Sequence, residues 1–191
     1  MSKKIQLIIG STRENRLGES IVTWVRQQVD KSTDISLEVV DLKQENLPAF
    51  DAPVPPAYMP VASEAGRAWA KKVGSADGFI FLTPEYNRSI PSSLKNALDY
   101  LVAEWKEKPA VIVSYGYVDG GKGATDHLKD VLDWLKVDTA ATTINLHLDQ
   151  KMMDENGRIQ DMEKAFAQYK EQFNVALAHL AEEKTLAAAK V

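Results

Sequence analysis

Ile8-Ile9-Gly10-Ser11-Thr12-Arg13-Glu14-Asn15-Arg16-Leu17-Gly18 decides the fold. The stretch follows an apolar run, Ile5 to Ile9, and leads into a helical pattern. Gly10 lets the chain turn sharply after a strand. Ser11 and Thr12 bring hydroxyls, and Arg13 and Arg16 bring forked donors matched to phosphate oxygens. The free N–H groups at the start of a helix attract anions. Strand, short polar and basic loop, helix: the pattern predicts a phosphate cradle. It is neither the dinucleotide fingerprint, whose second and third glycines are missing, nor the Gly-Lys-Ser/Thr loop of ATP-binding proteins.

Outward from this loop, apolar runs alternate with helical patterns. Lys4 to Gly10 reads as the first strand, and the amphipathic stretch from Leu17 to Val29 as a helix with Ile21, Val22, Val25 and Val29 on one face. Ile35 to Leu42 alternates as a second strand. Lys43 to Pro60 holds five prolines and reads as a long ordered loop, of the length usually kept for function. A helix capped at Ser63 runs to Val73. Gly78 to Thr83 and Ala110 to Ser114 are continuously apolar, as buried parallel strands are. Helices are expected at Ser92 to Val102 and Ala124 to Leu135. Thr139 to Leu148 reads as the fifth strand, Arg158 to Leu180 as one long closing helix, and Ala181 to Val191 as a fraying tail. Five β-α alternations in one domain, residues 1–191, predict an α/β fold of the doubly wound, flavodoxin-like kind: a five-stranded parallel sheet with helices on both faces.

In such sheets ligands sit outside the carboxyl ends of the strands. Three unusual loops fall at that edge. Gly10-Ser11-Thr12-Arg13 suits a phosphate. Pro84-Glu85-Tyr86-Asn87 brings a rigid proline, an aromatic face and an amide, and suits a planar heterocycle with hydrogen-bonding edges. Ser114-Tyr115-Gly116 opens a glycine-rich loop whose backbone approaches a flat ligand closely. Phosphate at one end and a polar ring at the other describe a mononucleotide, and FMN fits.

The composition narrows the function. With 191 residues, 45% hydrophobic and 26% charged, the chain has material for a sizeable core. The formal net charge of -4 argues against nucleic acid as a partner. No segment reaches the roughly 20 apolar residues of a membrane helix. Met1-Ser2-Lys3-Lys4 leads straight into a strand without a signal-peptide pattern. The chain has no cysteine, which excludes disulfides, thiol catalysis and Cys-based metal sites, and fits a cytoplasmic setting. His127, His147 and His179 are isolated, so no metal site is expected.

The sequence resembles the NADPH-dependent FMN reductase family, a flavodoxin-like branch that includes quinone, azo-dye and chromate reductases. The resemblance rests on Gly10-Ser11-Thr12-Arg13 with Arg16 and Gly18, on Leu47-Pro48-Ala49-Phe50-Asp51, and on Pro84 to Pro91 running into Leu94-Lys95-Asn96-Ala97-Leu98-Asp99. Ser114-Tyr115-Gly116 and Gly120-Gly121 match as well. It implies that Ser11, Arg13 and Arg16, with the amides of Leu17 and Gly18, hold the FMN phosphate. It further implies that Pro84, Glu85, Tyr86 and Asn87 line the isoalloxazine, largely through backbone groups, and that Ser114, Tyr115 and Gly116 flank its other side. Many members carry serine where Arg16 stands, glycine at Ser92 and Tyr117, and arginine at Gly123.

The resemblance also implies a reaction. A nicotinamide, from NADPH or NADH, passes hydride to the flavin; a small-molecule acceptor (quinone-like, azo, metal-oxyanion or free flavin) then takes two electrons at the same open face, by a ping-pong course. No catalytic side chain is demanded. The walls of the acceptor site are expected at Leu47 to Pro60 and at Tyr117. A homodimer or homotetramer is implied, with the helix carrying Leu94, Leu98 and Leu101, plus Lys95 and Asp99, as one interface to consider, although periodicity alone turns the leucines toward the sheet. The competing reading is a flavodoxin-like electron carrier, which its mixed surface charge disfavours. A phospho-receiver needs acidic residues at the end of strand one and an aspartate after strand three, and Ile9-Gly10-Ser11 and Leu82-Thr83-Pro84 supply neither.

Overall fold

The computed structural model describes residues 2–30 and 34–182. The strands are β1 (Lys3–Ile9), β2 (Ile35–Asp41), β3 (Gly78–Pro84), β4 (Pro109–Gly116), β5 (Asp138–Thr139) and β6 (Ile144–His147). The helices are α1 (Gly18–Val29), α2 (Leu42–Glu45), α3 (Glu64–Gly74), α4 (Ser92–Asp99), α5 (Lys122–Trp134), α6 (Met162–Ala165) and α7 (Lys170–Ala181). All strands pair in parallel in the order β2-β1-β3-β4-β5, and β6 also pairs with β4. The five-position parallel sheet is the expected one. It is the flavodoxin-like arrangement, whose strand order reverses between β1 and β3.

Alternation along the strands builds two cores. Ile5, Leu7, Ile9, Ile80, Leu82, Val111 and Val113 face α1 and α7 and pack with Trp24, Phe166 and Phe173. Ile8, Phe79, Phe81 and Ile112 face the opposite way, onto Trp69, Trp105, Leu94, Leu98, Leu128 and Leu132. Each large apolar side chain so buried contributes about 1.5–3 kcal/mol relative to exposure. β3 is buried along its whole length, as its unbroken apolar run requires. Leu94, Leu98 and Leu101 are at most 3% exposed and belong to the second core. The three leucines thus turn to the core, as periodicity alone has them, while Lys95 and Asp99 on α4 stay partly exposed and pair with each other.

Three element boundaries also differ from expectation. The fifth strand is two short pieces. From Ala110 to Val113 β4 advances three residues, while its partner advances five, from Thr139 to Ile144, so residues 140–143 leave the ladder. The closing helix is interrupted. Phe166 leaves helical backbone, with φ -113, between α6 and a 3-10 turn at Ala167–Tyr169. The break lets Phe166 and Phe173 both meet Trp24 edge-on, at 5.4 and 5.3 Å between centroids. Helix α4 stops at Asp99 rather than Val102, and the Trp105 indole takes the Leu98 carbonyl that a longer helix would use. The expected tail, 181–191, lies outside the described residues beyond Glu182. Among the described residues no helix is long and apolar enough to cross a membrane.

Candidate functional site

The loops that follow β1, β3 and β4 open at one end of the sheet, where the strand order reverses. Together they enclose a cleft of about 500 Å3, lined by Arg13, Asn15, Arg16 and Leu17, by Pro84, Glu85 and Tyr86, and by Tyr115, Gly116, Tyr117 and Val118. Leu148 and Gly157 complete it. A volume of this order lies within the range of small-molecule sites.

At one end stands the N-terminus of α1. Leu17 at the cap position offers no side-chain hydrogen bond, and the amides of Leu17 and Glu19 have no acceptor among the described residues. Such amides, with the helix dipole behind them, attract an anion. Arg13 is exposed, has no carboxylate partner among the described residues, and lies 5.8 Å from the Tyr86 ring centroid. Ser11 is fully buried, and its hydroxyl is hydrogen-bonded to that of Tyr86 at 2.6 Å. This bond ties the β1 loop to the β3 loop. Tyr115 sits against α1: a Cβ on Gly18 would fall 3.1 Å from its hydroxyl oxygen, which is why a glycine opens this helix. Burial pushes the Tyr115 phenol well above its usual range, and neighbouring Tyr86 adds to the rise. It therefore stays an O–H group at neutral pH.

Arg16 is placed differently from its neighbour Arg13. It borders the cleft, yet its side chain is only 3% exposed and its guanidinium is engaged by the protein itself. It donates to the Ser11 carbonyl at 2.5 Å, to Asp41 at 2.6 Å and to Glu19 at 2.7 Å.

The rest of the cleft is lined by Pro84, Glu85 and Tyr86 and by Tyr115, Gly116, Tyr117 and Val118. Tyr86 and Ser89 exchange backbone hydrogen bonds across a two-residue turn, and Asn87 and Arg88 in its centre both have positive φ, 50 and 66. That is the backbone of the tight turns that favour asparagine and glycine. The Glu85 carboxylate accepts from the amides of Gly123 and Ala124 at the start of α5. A Cβ on Gly123 would lie 2.8 Å from that carboxylate oxygen, so a larger residue here would have to displace the Glu85 side chain. The amides of Asn87, Tyr117 and Val118 have no acceptor among the described residues.

Of the sequence-predicted residues, Arg13, Arg16, Leu17, Pro84, Glu85, Tyr86, Tyr115 and Gly116 border the cleft together. Ser11 and Gly18 lie behind it, buried. Asn87 is exposed on the turn outside it. Ser114 points to the other face of β4, where it donates to the Gly120 carbonyl and accepts from Thr125 and Asn145. The expected wall from Leu47 to Pro60 is corrected. None of it borders the cleft, because Asn96 and Tyr100 donate to the Pro48 carbonyl, Phe50 donates to Asn96, and the segment is thereby pinned on α4. Asn15, Val118, Leu148 and Gly157 escaped the sequence reading. Leu148 and Gly157 follow the fifth strand, so the rule that singled out the other three loops applied to them too. No cluster of three or more metal-ligating side chains occurs among the described residues.

A mononucleotide fits this donor set. The unsatisfied amides of α1 and the unpaired Arg13 suit a dianionic phosphate, and the aromatic and backbone-lined end suits a flat ring.

The profile of the NADPH-dependent FMN reductase family matches residues 3–150. The chain is 43% identical to an NAD(P)H-dependent FMN reductase of Schizosaccharomyces pombe over 74% of its own length and 72% of the relative's. It is 30% identical to a 2-hydroxy-1,4-benzoquinone reductase of a Burkholderia species over 83% and 86% of the two chains. In structure it is similar to FerB, an NAD(P)H:(acceptor) oxidoreductase of Paracoccus denitrificans, with a TM-score of 0.72, 22% identity, and coverage of 93% and 97%.

Proposed function

The chain belongs to the NADPH-dependent FMN reductase family, and from that premise we propose that it reduces quinone-like acceptors with NAD(P)H by a ping-pong course in which both substrates use one open face. It is an oxidoreductase whose cofactor is FMN and whose reductant is NAD(P)H. FMN, when bound, would supply the two-electron redox chemistry between nicotinamide and acceptor. The net reaction is NAD(P)H + H+ + quinone → NAD(P)+ + hydroquinone. Free flavin takes the same two electrons and an azo bond four, in two such turnovers; metal oxyanions are further acceptors.

The residues divide this work. Arg13 and the amides of Leu17 and Glu19 hold the phosphate. Pro84, Glu85 and Tyr86 border one side of the ring, and Tyr115 and Gly116 the other. Tyr117 and Val118, 55% and 60% exposed beside the cleft, narrow the open side and select what enters. No acid or base is assigned, because hydride leaves and enters without one. The observation that carries the reading is the convergence of three strand-end loops on one cleft with an uncapped helix start at one end.

Steady-state kinetics test it. With NADPH varied at several fixed quinone concentrations, double-reciprocal lines are expected to be parallel, as two half-reactions at one site require. Intersecting lines would place both substrates on the enzyme at once and overturn the shared face. A cytoplasmic setting and a homodimer or homotetramer complete the proposal, and cell fractionation and sedimentation test them.

A further inference from the structure

We infer that Arg16 is a positioning residue: it holds the Ser11–Leu17 loop in its cradle shape and does not bind the phosphate of FMN. The inference rests on the proposed FMN site and assigns the roles of its two arginines.

The guanidinium has five N–H donors in a fixed fork. Here Nη1 meets the Ser11 carbonyl, Nη2 meets Asp41 and Glu19, and Nε meets Glu19 at 3.1 Å. One cation thus faces two carboxylates, so this group of three carries a net negative charge and offers an incoming phosphate no attraction. Turning Arg16 outward would leave Asp41, its side chain 10% exposed, without its partner. Stranding one member of a buried ion pair is strongly unfavourable. Arg13 has no such tie and faces the cleft.

The bonds also explain the loop's shape. Asp41 ends β2, paired in register with Ile9 at the end of β1. Its second oxygen accepts from the Lys43 amide, which fixes the carboxylate in place. Arg16 therefore anchors the far end of the loop to the sheet, while its bond to the Ser11 carbonyl draws the loop's two ends together. The Arg13 amide within the loop donates to the Ser11 hydroxyl, and the Leu17 amide just after it keeps no acceptor among the described residues. A serine at this position, as many relatives of the resembled family carry, cannot span from Ser11 to Asp41.

The test compares FMN with riboflavin, which lacks the phosphate, by flavin fluorescence titration of the apoprotein. The parent is expected to bind FMN far more tightly than riboflavin; equal affinities would overturn the phosphate site itself and the inference with it. Asp41→Asn removes the anchor and leaves Arg16 in place. FMN affinity is expected to fall at least about tenfold, as when an orienting partner of a ligand is lost, with riboflavin affinity unchanged. A direct phosphate ligand would instead be freed, so FMN affinity equal to or above that of the parent would overturn the inference. The paired variant Arg16→Met with Asp41→Leu replaces the ion pair by apolar groups and keeps the test open if Asp41→Asn folds poorly. Its FMN affinity is expected to fall while its dependence on salt stays that of the parent, since Arg13 supplies the charge. A flatter salt dependence would make Arg16 a charge on the phosphate and overturn the inference.

Discussion

Two arginines three positions apart in one loop, Arg13 and Arg16, are chemically identical and structurally opposite. Arg13 is exposed and unpaired at the cleft, whereas Arg16 is buried against Asp41. The loop sequence alone cannot separate them, because Asp41 lies 25 residues away and reaches Arg16 only through the pairing of β1 with β2. Arg13→Ala is expected to weaken FMN binding by about 2–4 kcal/mol, the usual cost of truncating one partner of a charge-assisted contact. Titration of FMN and riboflavin against the variant measures it, and the loss should appear for FMN alone. Tyr115 carries a second expectation. Its phenol is raised in the folded state by burial, so the contribution it makes to stability is present below the ordinary tyrosine value of about 10 and is lost as pH rises above it. Tyr115→Phe lacks that loss. The stability difference between parent and variant, followed by urea unfolding, should therefore move in favour of the variant as pH rises past about 10, and a difference independent of pH would contradict the assignment.

The elements were most legible where a single face or a continuous apolar run decided them. Strands β1, β3 and β4 and helices α1, α3 and α5 stand within a few residues of expectation. Failures came where a distant side chain intervened: Trp105 at the end of α4, and Trp24 at the break before α7. The glycine-rich loop after β4 shows the same dependence. Gly120 and Gly121 have φ 63 and 85, and a Cβ on Gly120 would lie 2.2 Å from the Asn145 carbonyl oxygen. Beneath the loop, Asn145 Nδ2 donates to both Ser114 and Thr125, and Ser114 donates to Gly120. Ser114 thus steadies the floor of the ring end from the far face of β4, a role its place in the loop motif does not announce. Asn145→Leu removes the donor shared by two buried hydroxyls. It is expected to cost about 1–3 kcal/mol in urea unfolding, and to weaken FMN and riboflavin alike, because the disturbed loop borders the ring and not the phosphate.

At the scale of the whole molecule, strand order does what no single motif does. The reversal between β1 and β3 brings the Arg13–Leu17 loop, the Pro84–Tyr86 loop and the Tyr115–Val118 loop to one edge. Alternation of β and α patterns predicted that edge, and family membership gives FMN as cofactor and NAD(P)H as reductant. What the pattern could not supply was the position of the long proline-rich segment. Its contacts with Asn96 and Tyr100 join residues 46 to 52 positions apart, and they carry it away from the cleft. The central claim is that the protein loaded with FMN is a complete reductase in its first half-reaction, needing nothing but NAD(P)H. Anaerobic stopped-flow mixing of the FMN-loaded protein with one equivalent of NADPH or NADH, with no acceptor present, measures this directly. The flavin absorbance is expected to bleach in a single turnover and to return when a quinone is added. Flavin that stays oxidised with both nicotinamides until a protein partner is supplied would contradict the account and make the chain an electron carrier.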